Sequence, residues 1–133
     1  MAIQMDERVL ALALPGPIAP GLARVLLRYG WPLARVERPA EALRDVWRGE
    51  PDELVVQIAP APRERDSIEL LSLLHDSAAR LLLLAVGPPG GGDVEVAARS
   101  AGADGYVPGN AEARRIGELA LGLLPDGVRA PAR

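Results

Sequence analysis

The segment formed by residues 51–60 restricts the possible folds of this chain more than any other part of the sequence. It holds a short apolar run with one polar side chain, Gln57, near its carboxyl end, and a proline closes it on each side. The run is too short for a buried helix, and its adjacent Val55 and Val56 favour a strand that is buried on both faces. In open α/β sheets, ligands bind beyond the carboxyl ends of the strands, so Gln57 marks where a site is expected.

Four more strands and five helices are predicted around this central strand. The further strands are expected at residues 8–14, 33–37, 81–86 and 105–107, and one of the helices at residues 39–48. Apolar residues recur with helical spacing in the first, second and last helices: Leu22, Val25, Leu26 and Tyr29; Leu43, Val46 and Trp47; Ile116, Leu119, Ala120 and Leu123. The alternation implies right-handed crossovers and a parallel sheet covered on both sides, so the predicted fold is a three-layer, doubly wound α/β domain.

Capping residues predict where the later helices begin. Residues 66–69, Asp-Ser-Ile-Glu, have the spacing of a capping box and open a third helix. Asp93 is expected to cap a short fourth helix, and Asn110 a fifth. Residues 125–133 are expected to form a frayed tail, so the core of a single domain covers residues 8–124.

Composition and charge exclude several classes of function. The net charge is -3, and the 15 basic and 18 acidic residues are interspersed, so no basic surface for nucleic acid is expected. The chain has no apolar span of about 18 residues and its first seven residues do not form a signal peptide, which favours a cytoplasmic protein that does not enter a membrane. Cysteine and lysine are absent and His75 is the single histidine, so thiolate or Schiff-base catalysis and His-rich metal clusters are excluded and no enzyme is expected.

Two segments resemble the receiver domain of two-component response regulators. Residues 51–57, Pro-Asp-Glu-Leu-Val-Val-Gln, are similar to the strand of that family that leads to the phosphoacceptor. Residues 101–107, Ala-Gly-Ala-Asp-Gly-Tyr-Val, are similar to its Gly-Ala-Asp-x-Tyr turn into the fifth strand. The resemblance covers residues 8–124 and implies a flavodoxin-like (CheY-like) sheet with the strand order 2-1-3-4-5.

The chemistry of that family is missing at the matching positions. Receiver domains hold magnesium with an acidic pair and the phosphoacceptor aspartate, and they contact the phosphoryl group with a Ser/Thr and a lysine. The resemblance places the acidic pair at Ala13 and Leu14 and the phosphoacceptor at Gln57. It places the Ser/Thr at Ala85 and the lysine at Gly109. Gln57 beside apolar residues cannot replace the carboxylate ligands of magnesium, and it lacks a carboxylate nucleophile. We therefore expect a pseudo-receiver that is not phosphorylated and that holds neither a metal nor another cofactor.

By the same resemblance, such a domain acts by binding a protein partner of a signalling pathway, or a second copy of itself, through its fourth helix, fifth strand and fifth helix. The candidate residues of this face are Ala97, Tyr106, Arg114 and Arg115. Tyr106 occupies the switch position of the family. A tyrosine on a short strand is also often a half-buried packing residue, and both interpretations stay open here.

An alternative function is the binding of a small ligand or cofactor at the carboxyl-end crevice of the sheet. The loop of residues 87–92 precedes a helix N-terminus, where exposed amides favour an anion, and its glycines are Gly87, Gly90, Gly91 and Gly92. Glycine-proline loops of this kind are also often plain connectors.

Three further side chains have competing interpretations. Trp31 either anchors an interface or covers a sheet edge, and Trp47 is expected to pack in the core. His75 is followed by Asp76, but without a nucleophile motif it is expected to be an ordinary helix residue.

Overall fold

The computed structural model describes residues 8–41, 51–77, 81–89 and 92–124. Its strands are β1 (Val9–Ala13), β2 (Leu33–Arg35), β3 (Glu53–Gln57), β4 (Leu82–Gly87) and β5 (Gly105–Pro108). The α-helices of the described residues are α1 (Pro20–Tyr29), α2 (Glu64–Ser77), α3 (Gly92–Ser100) and α4 (Ala113–Leu123). All strand pairs are parallel, and the order is β2-β1-β3-β4-β5. This confirms the flavodoxin-like, doubly wound α/β fold and the strand order that the resemblance implied.

Strand β3 lies in the centre of the sheet, as its apolar sequence predicted. All five of its residues are buried, and it pairs with β1 on one side and β4 on the other. Leu54, for example, lies opposite Leu10 and Leu83. A strand with neighbours on both edges and helices on both faces has no solvent-facing side, which is why its hydrophobic residues are continuous and do not alternate.

The sheet separates two hydrophobic cores. One lies under α2 and α3 and includes Leu12, Leu54, Val56, Leu70, Leu71, Leu74, Leu83 and Ala98. The other lies under α1 and α4 and includes Val9, Leu22, Val25, Val55, Leu84, Val107, Ile116 and Ala120. Complete burial of each leucine contributes about 1.5–3 kcal/mol, so both helix layers are held mainly by packing against the sheet.

Helix α1 follows the prediction in detail. Leu22 and Val25 are buried against the sheet, and the helix ends where Gly30 adopts a left-handed conformation with φ of 67°. The N–H of Gly30 donates to the carbonyl of Leu26 at 3.0 Å, which satisfies one of the last carbonyl groups of the helix. Beyond Gly30, Trp31 is buried and stacks on Tyr29 with ring centroids 5.3 Å apart, so its interpretation as an exposed interface anchor is wrong.

The second predicted helix, residues 39–48, falls mostly outside the described residues. Its start is a 3-10 helix, Pro39–Glu41, and Glu41 accepts hydrogen bonds from two backbone N–H groups that precede this turn. Leu43, Val46 and Trp47 lie outside the described residues, as do residues 125–133. Helices α2, α3 and α4 therefore correspond to the third, fourth and fifth predicted helices. No helix in the described part of the chain is both long enough and apolar enough to cross a membrane.

The predicted helix caps are wrong at all three positions. Helix α2 begins at Glu64, and the Ser67 of the predicted capping box is buried in its first turns, where its hydroxyl accepts the N–H of Ala59 at 2.9 Å. Asp93 lies within the first turn of α3 and does not precede the helix. Helix α4 begins only at Ala113, and no side chain caps its N-terminus.

The chain after β5 explains the late start of α4. The N–H of Ala111 donates to the carbonyl of Pro108 at 3.0 Å and closes a turn that contains Asn110. Helix α1 packs against this turn, since the N–H of Gly21 donates to the carbonyl of Gly109 at 2.9 Å. This contact with α1 holds the turn outside the helix, so the local capping preference of Asn110 is overridden.

Candidate functional site

The carboxyl ends of the strands bring the sequence-predicted positions to one edge of the sheet. Ala13 ends β1, with Leu14 directly after it, and Gln57 ends β3. Ala85 lies in β4 opposite Tyr106 of β5, and Gly109 follows β5 directly. All five predicted positions are buried, and Gln57 is the one polar side chain among them.

The amide group of Gln57 connects β3 to the segment between β1 and α1. Its Oε1 accepts the N–H of Ala19 at 2.7 Å, and its Nε2 donates to the carbonyl of Pro17 at 3.0 Å. Gln57 is 7% exposed, and both bonds are partly buried. An ionised carboxylate could accept the bond from Ala19 but could not donate to Pro17, so the amide satisfies both partners without a change of protonation.

The residues at this edge do not fit a magnesium ion. Magnesium requires several hard oxygen ligands in nearly octahedral geometry, and Ala13 and Leu14 provide no side-chain oxygen. The Oε1 of Gln57 already accepts a hydrogen bond from the backbone. Within residues 8–41, 51–77, 81–89 and 92–124, no three His, Cys, Asp or Glu side chains come together as a possible metal site.

Gly109, at the position of the lysine in the receiver resemblance, forms a close contact between two loops. Its N–H donates to the carbonyl of Gly87 at 2.8 Å. A Cβ added at Gly109 would lie 2.6 Å from the Cβ of Ala19, too close without a shift of the backbone. A side chain at this position is therefore incompatible with the observed packing of the α1 N-terminus.

Tyr106 lies half-buried on the edge strand β5, and its hydroxyl donates to the carbonyl of Pro88 at 2.9 Å. The approach is possible because residue 87 is glycine: a Cβ there would overlap the Tyr106 hydroxyl. Burial raises the pKa of Tyr106, and the carboxylates of Glu95 and Glu64 raise it further. The half-burial of Tyr106 and its bond to Pro88 agree with the interpretation of this tyrosine as a packing residue.

The other residues of the predicted interaction face lie on either side of β5. Ala97 is half-buried on α3, next to Val96, which is 65% exposed. Arg114 and Arg115 are exposed on α4, where Arg114 lies 3.9 Å from Glu118. At this distance and exposure the ion pair contributes little to stability. Both arginines are exposed, so both guanidinium groups are accessible.

A crevice with a volume of about 380 Å³ opens at the same edge. It lies between the β1–α1 segment, the ends of β3 and β4, and the loop after β5, and Gly87 and Gln57 are among its lining residues. Gly92 is exposed outside the crevice lining, and Gly90 and Gly91 lie outside the described residues. Among the described lining residues Glu64 is the charged one, so the lining does not offer the positive charge that an anion would need.

His75 is not among the described residues that line this crevice. It is exposed in the last turn of α2 and packs over Gly102, where a Cβ would collide with the imidazole-bearing side chain. This agrees with the expectation of an ordinary helix residue.

The sequence pattern located the carboxyl edge of the sheet, but it did not reveal the contacts that the residues at this edge make. The Gln57 bonds, the close contact of Gly109 with Ala19 and the hydroxyl bond of Tyr106 are all long-range. One signal in the sequence pointed to the hydrogen bonds of Gln57. A lone amide in an apolar strand must find partners when it is buried, and a proline-rich loop after β1 leaves backbone groups that a helix would otherwise use.

Comparisons with known proteins agree with the fold. No family model and no curated protein matches the sequence. Solved structures do match: the structure of NtrX from Brucella abortus has a TM-score of 0.65 at 19% identity and covers 84% of this chain, which spans 26% of NtrX. The separate receiver domain of the same NtrX has a TM-score of 0.63 at 18% identity, with 86% of this chain and 99% of that domain covered. A CheY-like protein, TadZ, from Pseudomonas aeruginosa has a TM-score of 0.65 at 17% identity, with 83% and 95% covered. The chain therefore has the fold of the CheY-like receiver domains of response regulators.

Proposed function

We propose that this chain is a receiver-like signalling module that is not phosphorylated and that acts by binding a protein partner. The observation that carries the proposal is the amide of Gln57, which stands at the phosphoacceptor position of the resemblance and is bonded on both sides to the β1–α1 segment. Phosphoryl transfer to this position requires a carboxylate oxygen as nucleophile, and an amide does not supply one.

The surroundings of Gln57 support the same conclusion. A metal-assisted transfer needs carboxylates beside the acceptor, where this chain has Ala13 and Leu14. Phosphoryl recognition by a lysine is excluded throughout the chain, because every basic residue is arginine. We infer that the module works without catalysis and without a metal, and we propose a cytoplasmic location for it.

The surface we propose for the partner comprises α3, β5 and α4, with Ala97, Tyr106, Arg114 and Arg115. The exposed Val96 adds an apolar contact, and the two arginines suit an acidic partner through charge-assisted hydrogen bonds. The partner is a protein of a signalling pathway or a second copy of the chain.

Intact-mass spectrometry after incubation with acetyl phosphate and magnesium tests the first half of the proposal. A receiver domain that autophosphorylates under the same conditions serves as the positive control. We expect the unmodified mass only. A phosphorylated species that disappears on removal of magnesium would contradict the proposal.

Sedimentation velocity over a range of concentrations tests whether the partner is a second copy. If it is, the double variant Arg114→Glu, Arg115→Glu is expected to weaken the dimer, since it reverses two charges on the proposed surface. The matched control is Arg24→Glu, Arg28→Glu, which reverses two exposed charges on α1. An equal effect of both double variants would show that general charge, and not this surface, controls association.

A further inference from the structure

The crevice at the carboxyl edge has mainly apolar walls. Five prolines line it: Pro17, Pro20, Pro60, Pro88 and Pro89. Ile18 and Ile58 add branched aliphatic side chains. Since the ring of proline fixes its φ, these residues have less backbone freedom to lose on binding than other residues would. The volume of about 380 Å³ lies in the range of small-molecule sites.

The backbone groups around the floor of the crevice are already bonded within the protein. The carbonyl of Val86 accepts the N–H of Ile58 at 2.8 Å, and the carbonyl of Gly87 accepts the N–H of Gly109 at 2.8 Å. The amide of Gln57 is engaged on both sides. A polar group that entered beside these bonded groups would find few free hydrogen-bond partners, so this part of the crevice favours an apolar group.

The charge of the lining has one sign. Glu64, half-buried in the first turn of α2, is the charged side chain among the described lining residues. It takes no part in the salt bridges found in the described segments, which are Arg63–Asp66, Arg99–Glu95 and Arg114–Glu118. The potential of this carboxylate therefore attracts a cation into the mouth of the crevice and repels an anion.

We propose that this crevice binds a small organic cation whose aromatic or branched aliphatic part packs between the proline walls while its protonated amine lies against the carboxylate of Glu64. Phosphate-bearing ligands are disfavoured, because the chain has no lysine, no arginine is among the described residues that line the crevice, and the carboxylate of Glu64 repels anions. Ala97, Tyr106, Arg114 and Arg115 of the proposed partner surface are not among the described residues that line the crevice, so this inference goes beyond the proposed function.

Titrations followed by amide chemical shifts test the inference with two pairs of probes. The members of each pair share a ring system and carry opposite charges. Tryptamine and phenethylamine are the cations, and indole-3-propionate and 3-phenylpropionate carry the same rings on short chains with a negative charge. We expect both amines to give saturable shifts at the amides of Ile58, Gly87 and Asn110, which line the crevice. The carboxylates are expected to bind about threefold to tenfold more weakly than the amines. This factor corresponds to the interaction of each probe with one partly exposed charge, the carboxylate of Glu64.

The variant Glu64→Gln removes the charge and keeps the shape of the side chain. It is expected to weaken binding of the amines and to bring the affinities of amines and carboxylates close together, whereas Glu69→Gln, on the exposed face of the same helix, should change neither. The inference is overturned if neither amine gives saturable shifts up to its solubility limit, if amines and carboxylates bind equally, or if both glutamate variants weaken binding alike.

Discussion

Replacing Gln57 by glutamate exchanges one NH₂ group for an oxygen in a side chain that is 7% exposed. One carboxylate oxygen can still accept the N–H of Ala19, as Oε1 does in the wild type at 2.7 Å. The other oxygen faces the carbonyl of Pro17, to which Nε2 donates at 3.0 Å. The ionised variant therefore loses one hydrogen bond and places two acceptors against each other.

We expect Gln57→Glu to lower the free energy of unfolding by about 2–4 kcal/mol near neutral pH, because an unsatisfied buried acceptor costs about 1–3 kcal/mol and the buried charge adds to this. The loss depends on pH. Burial and the carbonyl of Pro17 raise the pKa of the introduced carboxyl above the value of about 4.3 in the unfolded chain. The protonated form can donate to Pro17, so the loss is small below the unfolded pKa and grows as the pH rises through the raised folded pKa.

Urea unfolding at about pH 5 and about pH 8 measures this difference. Gln57→Met is the control, since it has a similar length and no charge and should lose the same stability at both pH values. If Gln57→Glu unfolds at the wild-type midpoint at the higher pH with an unchanged slope, the bond to Pro17 does not hold the β1–α1 segment and the reasoning fails.

Three further substitutions test other parts of the site. Gln57→Asp should remain unphosphorylated by acetyl phosphate in the presence of magnesium, because no acidic pair holds the metal; a phosphorylated mass would show that the site has been placed incorrectly. Gly109→Lys should lower the free energy of unfolding in urea by about 1–3 kcal/mol through its collision with Ala19. Gly122→Lys, where an added Cβ meets nothing within 4 Å, should change it little, and equal losses would argue against the loop contact. Tyr106→Phe should cost about 1 kcal/mol at neutral pH, measured in the same way, through the lost bond to a backbone carbonyl. Since the pKa of Tyr106 is raised, wild-type stability should also fall more steeply than that of the phenylalanine variant once the pH exceeds the unfolded tyrosine value of about 10.

The parts of the fold that depend on hydrophobic pattern could be predicted from the sequence. The continuous burial of β3 and the buried face of α1 with its stop at Gly30 follow from local residue order. The strand order does not follow from periodicity, and it came from the resemblance alone. The predicted starts of the later helices were wrong because tertiary contacts override local capping. The hydroxyl of Ser67 accepts the N–H of Ala59, and a hydrogen bond from α1 holds the turn that contains Asn110.

The candidate site could be placed but not built from the sequence. The end of β3 and the topology of a doubly wound sheet locate Gln57 at the functional edge. Its hydrogen bonds join it to residues 38 and 40 positions away, and no local pattern encodes such a pairing. The burial of Trp31 also could not be predicted from local sequence. It depends on the packing of α1 and α4 against one face of the sheet, which no single segment reveals.

The bond from Ala19 to Gln57 makes one backbone proton a reporter of motion at this edge. The N–H of Ala19 donates to the side chain of Gln57 in β3, so its exchange with solvent deuterium requires this bond to open. Both partners of this bond belong to the polypeptide, so when reclosing is fast the exchange rate reports the local free energy of opening. Because we propose that no metal ion binds at this edge, the exchange rate of this amide should be the same with and without a metal chelator.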